Sequence, residues 1–281
     1  MVKTLIFGER SNLSKQLQHN IPNSEILASD DLLSGTISLK FYSNQELVII
    51  INSFYPASKL DYFLDPLDYI EKSIYILSYI LKQIRITLNL SNNIRKIIYT
   101  SSASVYGNNN YCSENDTYMP LNLHASLKIS SEKLLEGFCN KLDIDYTIAR
   151  IFNMYGGDDK FSIISKVIDY VATSKTIPLI NQGSAIRDFI HVNDVVMCYK
   201  KLIVIKDCHI INVASGEGIS IKIILDYLRI RGYSINIKNI NKDEIKISTA
   251  NVEKLKSLFE TLEFINVTGF IESSLNKEII K

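Results

Sequence analysis

Short runs of aliphatic and β-branched residues recur through the first half of the chain, at Val2–Phe7, Glu25–Ala28, Leu47–Ile51, Lys96–Thr100 and Asp145–Ala149. Each has the length of a strand, and longer stretches of helical character separate them. Behind Pro66, residues Ile70, Ile74, Leu77, Leu81 and Ile84 fall on one helical stripe, and Leu127, Leu134, Leu135 and Phe138 mark a second,. This alternation predicts a parallel sheet wrapped by helices, with both stripes laid against it.

From Phe152 onward the pattern breaks into loops. A helix is expected near Phe161–Ser174, a strand at Ile210–Val213, and a further strand and helix within Ile219–Leu228. The stretch Gly35–Glu46 shows neither period.

A chain of 281 residues suits one large α/β domain carrying a smaller lobe,. Its 31 basic and 30 acidic residues nearly cancel, so neither nucleic acid nor an anionic membrane is expected as a partner,. The amino-terminal apolar run is too short for a signal peptide, and the later runs are too short to cross a bilayer, which gives a cytoplasmic expectation,. Cys112, Cys139, Cys198 and Cys208 show no CxxC spacing, and His19, His124, His191 and His209 show no ligand spacing with them, so no metal site is expected,.

The first strand runs into Gly8-Glu9-Arg10-Ser11-Asn12-Leu13-Ser14. A strand, a glycine turn and a helix start form an anion site, because the helix presents N–H groups to phosphate and glycine lets the backbone approach closely. Ser11 is placed to cap the helix or reach a phosphate. Asp30, about twenty residues on, is placed to accept from an adenosine ribose, which favours NAD over NADP while leaving NADP possible,.

Further along, Ser101-Ser102-Ala103-Ser104-Val105-Tyr106-Gly107 is similar to an SSxxVYG motif, and Arg150-Ile151-Phe152-Asn153-Met154-Tyr155-Gly156 to RxFNxYG. Arg187-Asp188-Phe189-Ile190-His191-Val192-Asn193-Asp194 is similar to RDFxHVxD. Together they resemble the extended short-chain dehydrogenase/reductases that act on nucleotide sugars, namely epimerases, reductases and dehydratases. The resemblance implies a Rossmann-like doubly wound parallel sheet with a smaller C-terminal α/β substrate lobe. Residues 1–152 would bind the dinucleotide and 153–281 mainly the nucleotide sugar, with part of 186–215 returning to the Rossmann core. In such a domain Gly35–Glu46 would normally carry another strand and helix.

The resemblance also implies roles. Gly8, Ser11, Asn12, Leu13, Asp30, Ser101 and Lys128 would hold the cofactor, and Ser102 would hydrogen-bond the sugar oxygen whose carbon exchanges hydride. Asn153, Arg187 and Glu244 would bind the nucleoside diphosphate sugar, Arg187 because a guanidinium fork matches phosphate oxygens,. Asp188, His191 and Asp194 would organise loops. A homodimer through the helices after Pro66 and Pro120 is implied, as is a place in surface-polysaccharide sugar synthesis.

Departures from the family pattern are as informative as matches. The dinucleotide turn keeps only the first glycine of GxxGxxG. Ala103-Ser104 stand where dehydratases carry Asp-Glu, which disfavours a 4,6-dehydratase, and serine at 104 disfavours C3/C5 epimerisation by a cysteine acid/base. The Tyr-x-x-x-Lys pair has become His124-x-x-x-Lys128. Spacing by four keeps both on one helix face, but the chemistry changes: a phenol near ~10 becomes an imidazole near ~6.5 that a lysine drives towards neutrality. His124, with Ser102 and Lys128, is the candidate catalytic set, and Tyr106 or Tyr118 is an alternative acid. Two functional readings stand: a hydride-transfer enzyme acting at C4 (4-keto reductase, 4-dehydrogenase or 4-epimerase), or a non-catalytic nucleotide-sugar binder with a degenerate cofactor site.

Overall fold

The computed structural model describes residues 2–52, 66–88 and 93–279. They divide into two compact units. The first holds the chain up to Val105, Pro120–Arg150 and Val196–Ile211; the second holds Tyr106–Met119, Ile151–Val195 and the chain from Asn212 on. Residues 106–119, which the sequence pattern leaves inside the first domain, thus group with the second unit.

In chain order the elements are β1 (Lys3–Phe7), α1 (Asn12–Asn20), β2 (Ser24–Leu27), α2 (Ser29–Ser34), β3 (Leu47–Ile51), α3 (Pro66–Leu88), β4 (Ile94–Ser102) and β5 (Tyr111–Cys112). Next come α4 (Leu123–Leu142), β6 (Asp145–Ile151), β7 (Asn153–Tyr155), α5 (Ile163–Ala172), β8 (Ile177–Ile180), β9 (Ile186–His191) and α6 (Val192–Val204). The chain ends with β10 (Ile210–Val213), β11 (Gly218–Ser220), α7 (Ile221–Ile230), β12 (Ile237–Ile240), β13 (Ile247–Ala250), α8 (Glu253–Lys256) and α9 (Val267–Ile279).

The first unit is built on a six-stranded sheet of order β10-β6-β4-β3-β1-β2. β1 runs parallel to β2 and β3, so that Ile6 sits between Ile26 and Ile50, and β3 runs parallel to β4. All five residues of β3 are buried, as expected of a strand covered on both faces,. Gly35–Glu46 holds no added strand and helix, only a short 3₁₀ turn at Leu39–Tyr42 that Ser38 caps and Leu39 anchors in the core.

α3 lays Tyr69, Ser73, Leu77, Ile80, Leu81 and Ile84 inward, a stripe at steps of three and four,. Its first turns are therefore rotated from the expected face: Ile70 is exposed and Tyr69 takes the inner position. On α4, Leu135 is buried whereas Leu134 is exposed. The Asn122 side chain accepts from the Ala125 N–H at 2.9 Å and starts α4 there, a cap that contributes about 1 kcal/mol. Asp143, in the left-handed region at φ 53°, ends it.

In the second unit β9 is central, antiparallel to β11 and parallel to β13 and β7, and β13 in turn pairs with β5. β8 and β12 form a separate parallel pair. Buried residues of α5, α7 and α9, among them Ile164, Val167, Leu225, Leu228 and Ile271, form the core of this unit with Phe189. Among the described residues no helix is long and apolar enough to cross a membrane.

Candidate functional site

The turn after β1 brings together residues that the sequence pattern does not connect. Gly8 adopts φ 115°, a conformation that side chains rarely tolerate,. Ser11 precedes α1 in extended conformation but makes no side-chain cap bond, contrary to the sequence expectation. Its Oγ instead accepts from Asn52, directly after β3, whose single amide nitrogen donates to Ser11 Oγ at 2.8 Å and to Ser14 Oγ at 2.9 Å. Both serines that replace glycine are thereby held by one side chain. With its hydroxyls paired in this way and Gly8 at positive φ, the turn fits a dinucleotide diphosphate at the start of α1, where Asn12 and Leu13 lie,.

Asp30 does not close β2. It lies in the first turn of α2, where a carboxylate suits the helix dipole,, and it is exposed, with the Arg10 guanidinium 3.4 Å away.

The candidate catalytic residues lie at the end of β4 and in the first turns of α4. Ser102, the last residue of β4, is half-buried, and its Oγ accepts from the Ser104 N–H at 3.2 Å. Ser101, just before it, is buried and donates to Glu132. Lys128 is buried too; its Nζ donates to the Thr100 carbonyl at 2.8 Å and to the Tyr99 hydroxyl at 3.4 Å, and lies 4.9 Å from the Tyr99 ring. Burial lowers the lysine to about 7, a fall that the Glu132 carboxylate resists,. Glu132 is itself locked in a buried pair, accepting from Arg150 Nε at 3.2 Å and from a terminal guanidinium nitrogen at 2.8 Å.

His124 occupies the first turn of α4. Its Nδ1 lies 2.7 Å from the hydroxyl of Tyr69, a buried residue of α3. Burial first, and the Lys128 cation one turn along second, lower the imidazole to about 4. The positive end of α4 acts in the same direction. The ring is therefore neutral at physiological pH.

Of the alternative acids, the Tyr106 hydroxyl donates to Asn212 Oδ1 at 2.6 Å inside the second unit, which commits its proton to a structural bond. Tyr118 is half-buried.

In the second unit Arg187 and Glu244 face one another, with 3.4 Å between NH2 and Oε2, and Asn181 donates to the other Glu244 oxygen at 3.1 Å. A cavity of about 770 Å³ opens here, lined among others by Asn181, Ser184, Asn241, Lys242, Glu244 and Lys246. Asn153 is exposed and donates to the Asp188 carbonyl at 2.9 Å. Asp188 is buried and accepts from the backbone of Ser215, Gly216 and Ala250 and from the Ser215 hydroxyl. His191 accepts from the Asn193 N–H, and Asp194 from the Ile265 N–H. Among the described residues no cluster of His, Cys, Asp and Glu is placed to hold a metal.

Two residues with a part in these arrangements, Asn52 and Tyr69, were not predicted from the sequence. A polar residue directly after a parallel strand is a signal that would have flagged Asn52. Tyr69 gives no signal beyond a phenol on an apolar stripe.

Known proteins resemble the chain in sequence and in fold. Over 116 residues, 40% of the chain and 34% of the relative, it is 30% identical to Protein CapI of Staphylococcus aureus. Over 203 residues, 68% of the chain and 62% of the relative, it is 25% identical to a UDP-glucuronate 4-epimerase of Thermodesulfobacterium geofontis. The matches thus span less than two thirds of these relatives' lengths. The solved UDP-glucuronic acid 4-epimerase of Bacillus cereus, in complex with UDP-glucuronic acid and NAD, superposes with a TM-score of 0.82 at 18% identity, covering 100% of this chain and 99% of that one. A shared fold along the whole chain and a family match running from residue 9 to residue 214 lead to one assignment: the chain belongs to the NAD dependent epimerase/dehydratase family.

Proposed function

We propose that the protein is an NAD(P)-dependent enzyme that moves hydride at C4 of a nucleoside diphosphate sugar, as a 4-epimerase, 4-keto reductase or 4-dehydrogenase. One observation carries this reading above the others: a neutral imidazole and a buried lysine stand one turn apart on α4, and the lysine is bonded to the Thr100 carbonyl, two residues before the serine that ends β4. Perturbed ionisable groups gathered at a strand end are the usual mark of a chemical site. The names of the sequence and structural relatives support C4 as the carbon.

On this reading the turn at Gly8, Ser11, Asn12 and Leu13 holds the cofactor diphosphate and Asp30 accepts from the adenosine ribose, which favours NAD. Lys128 and Ser101 complete the cofactor side, Lys128 by donating to the nicotinamide ribose. Bound NAD supplies the acceptor and donor of hydride. Ser102 donates to the C4 oxygen and fixes its position. His124, neutral at pH 7, takes the hydroxyl proton during oxidation and returns it during reduction. In the second unit Arg187 exchanges its bond to Glu244 for the nucleoside diphosphate, Glu244 accepts from the nucleotide ribose, and Asn153 donates to the diphosphate or sugar. The exposed apolar residues Leu67 and Tyr75 on α3 and Leu134 on α4 suit a homodimer formed through these helices,. Synthesis of sugars for surface polysaccharides is the proposed setting.

The test is calorimetric titration with NAD and NADP, followed by incubation with UDP-glucuronate, other nucleotide sugars and their 4-keto forms, with products identified at C4. Dinucleotide binding with a C4 product supports the proposal. Nucleotide-sugar binding without dinucleotide binding or turnover overturns it in favour of a binding protein.

A further inference from the structure

The contact between His124 and Tyr69 joins residues 55 apart in sequence, at 2.7 Å between Nδ1 and the phenol oxygen. Tyr69 is buried on the inner face of α3. The imidazole is tilted 57° to the phenol ring, with centroids 6.5 Å apart, so the two meet through the hydrogen bond and not by stacking.

An imidazole has two nitrogens. With Nδ1 on Tyr69, proton exchange with a substrate passes through Nε2. Protonating the whole ring is disfavoured here, because burial and Lys128 both oppose a positive charge on it. A neutral ring can still carry a proton across if it gains one at one nitrogen while giving one up at the other. The Lys128 cation that opposes an imidazolium favours a negative charge placed beyond the ring.

We propose that Tyr69 is the positioning residue and proton partner of His124, so that the phenol serving this site stands one hydrogen bond behind the imidazole. This rests on the hydride-transfer reading above. In reduction the cofactor, when bound, would supply the hydride that forms the C4–H bond, and the carbonyl π pair would move to oxygen. That oxygen takes the proton from Nε2, and the Tyr69 O–H proton moves to Nδ1. The ring remains neutral in its other tautomer, and the negative charge rests on the Tyr69 oxygen. Oxidation runs the same transfers backward.

Tyr69→Phe keeps the buried ring and deletes the hydroxyl. ¹⁵N NMR of histidine-labelled protein without cofactor, assigned with His124→Gln, is expected to show the Nδ1 resonance of His124 shifted in Tyr69→Phe. In turnover assays kcat should fall by roughly 10²-fold or more, the usual weight of a proton-transfer partner, with KM little changed.

A purely structural role is separated by the His124→Tyr background, where a phenol stands directly at the site. There Tyr69→Phe should leave kcat within about twofold, since it no longer deletes the working phenol. An equal loss in both backgrounds overturns the proposal. If no nucleotide sugar is turned over by any variant, the hydride-transfer reading falls, and with it the catalytic part of this one. The pairing itself is then judged by NMR, and an unmoved Nδ1 signal overturns that too.

Discussion

Acidification should expose the energetic state of His124 directly. Folding holds the imidazole at about 4, through burial and the Lys128 cation, against ~6.5 when unfolded,. Between these values the unfolded chain binds a proton that the folded protein refuses, so stability is present above pH ~6.5 and is lost as pH falls towards 4. At 1.36 kcal/mol per pH unit, two units of acidification, to pH 4.5, would remove up to ~2.7 kcal/mol. Because the ring is only partly buried, solvent screening reduces this to about 1–2 kcal/mol. The assay is urea unfolding of wild type and His124→Gln at pH 7 and pH 4.5. Other groups titrate in both proteins, so the difference between them isolates the imidazole. The stability of wild type relative to the variant should fall by that amount at the lower pH. A difference that stays constant across the interval refutes a neutral, half-buried His124.

Two further outcomes follow from the neighbouring charges. Glu132→Gln leaves the Arg150 guanidinium buried without its counter-charge, a loss of about 3–5 kcal/mol that urea unfolding would read. A change under about 1 kcal/mol would mean that the pair is not locked as described. Arg187→Ala removes the guanidinium beside Glu244 and should weaken a nucleoside diphosphate sugar about 10–100-fold by calorimetry, the weight of one or two charged hydrogen bonds, while leaving dinucleotide affinity unchanged. Equal weakening of both ligands would place the arginine elsewhere in the mechanism.

The sheet was legible because fully buried parallel strands such as Leu47–Ile51 read as unbroken apolar runs,. The helices were legible in existence but less so in phase. Tyr69 and Ser73, both polar-tipped, face inward on α3, and a purely apolar count therefore starts its stripe at Ile70, one position late. Asp30 was legible as a carboxylate about twenty residues beyond the first turn, but the short helix that it helps to open was not, because the acidic pair after the strand shows no apolar period. The motif positions at Ser102, His124, Lys128 and Arg187 were legible as spacings. The long-range partners were not: Asn52 reaches back about forty residues to Ser11 and Ser14, and Tyr69 meets His124 across 55. Such pairings follow from strand order and helix phase, which no local pattern encodes.

Lys128 offers the sharpest separation between a chemical site and a merely well-packed one. Its polar contacts include a backbone carbonyl and a phenol, and it is held at about 7 mainly by burial. Against ~10.4 for an unfolded lysine, that depression amounts to a folding cost on the order of 3–5 kcal/mol at neutral pH and below. A packing residue at this position would be apolar. Lys128→Met should therefore unfold no more easily than wild type at pH 7, and by about 1–3 kcal/mol less easily if the Thr100 carbonyl finds another donor. Wild type should recover relative to the variant as pH rises from 7 towards 10.5, because the depressed lysine is destabilising below its folded value and ceases to be so above its unfolded one. The same variant should lose dinucleotide binding by calorimetry. If Lys128→Met instead destabilises the fold by more than about 2 kcal/mol and still binds dinucleotide, the lysine holds the structure together, and the case for a chemical site on α4 fails with it.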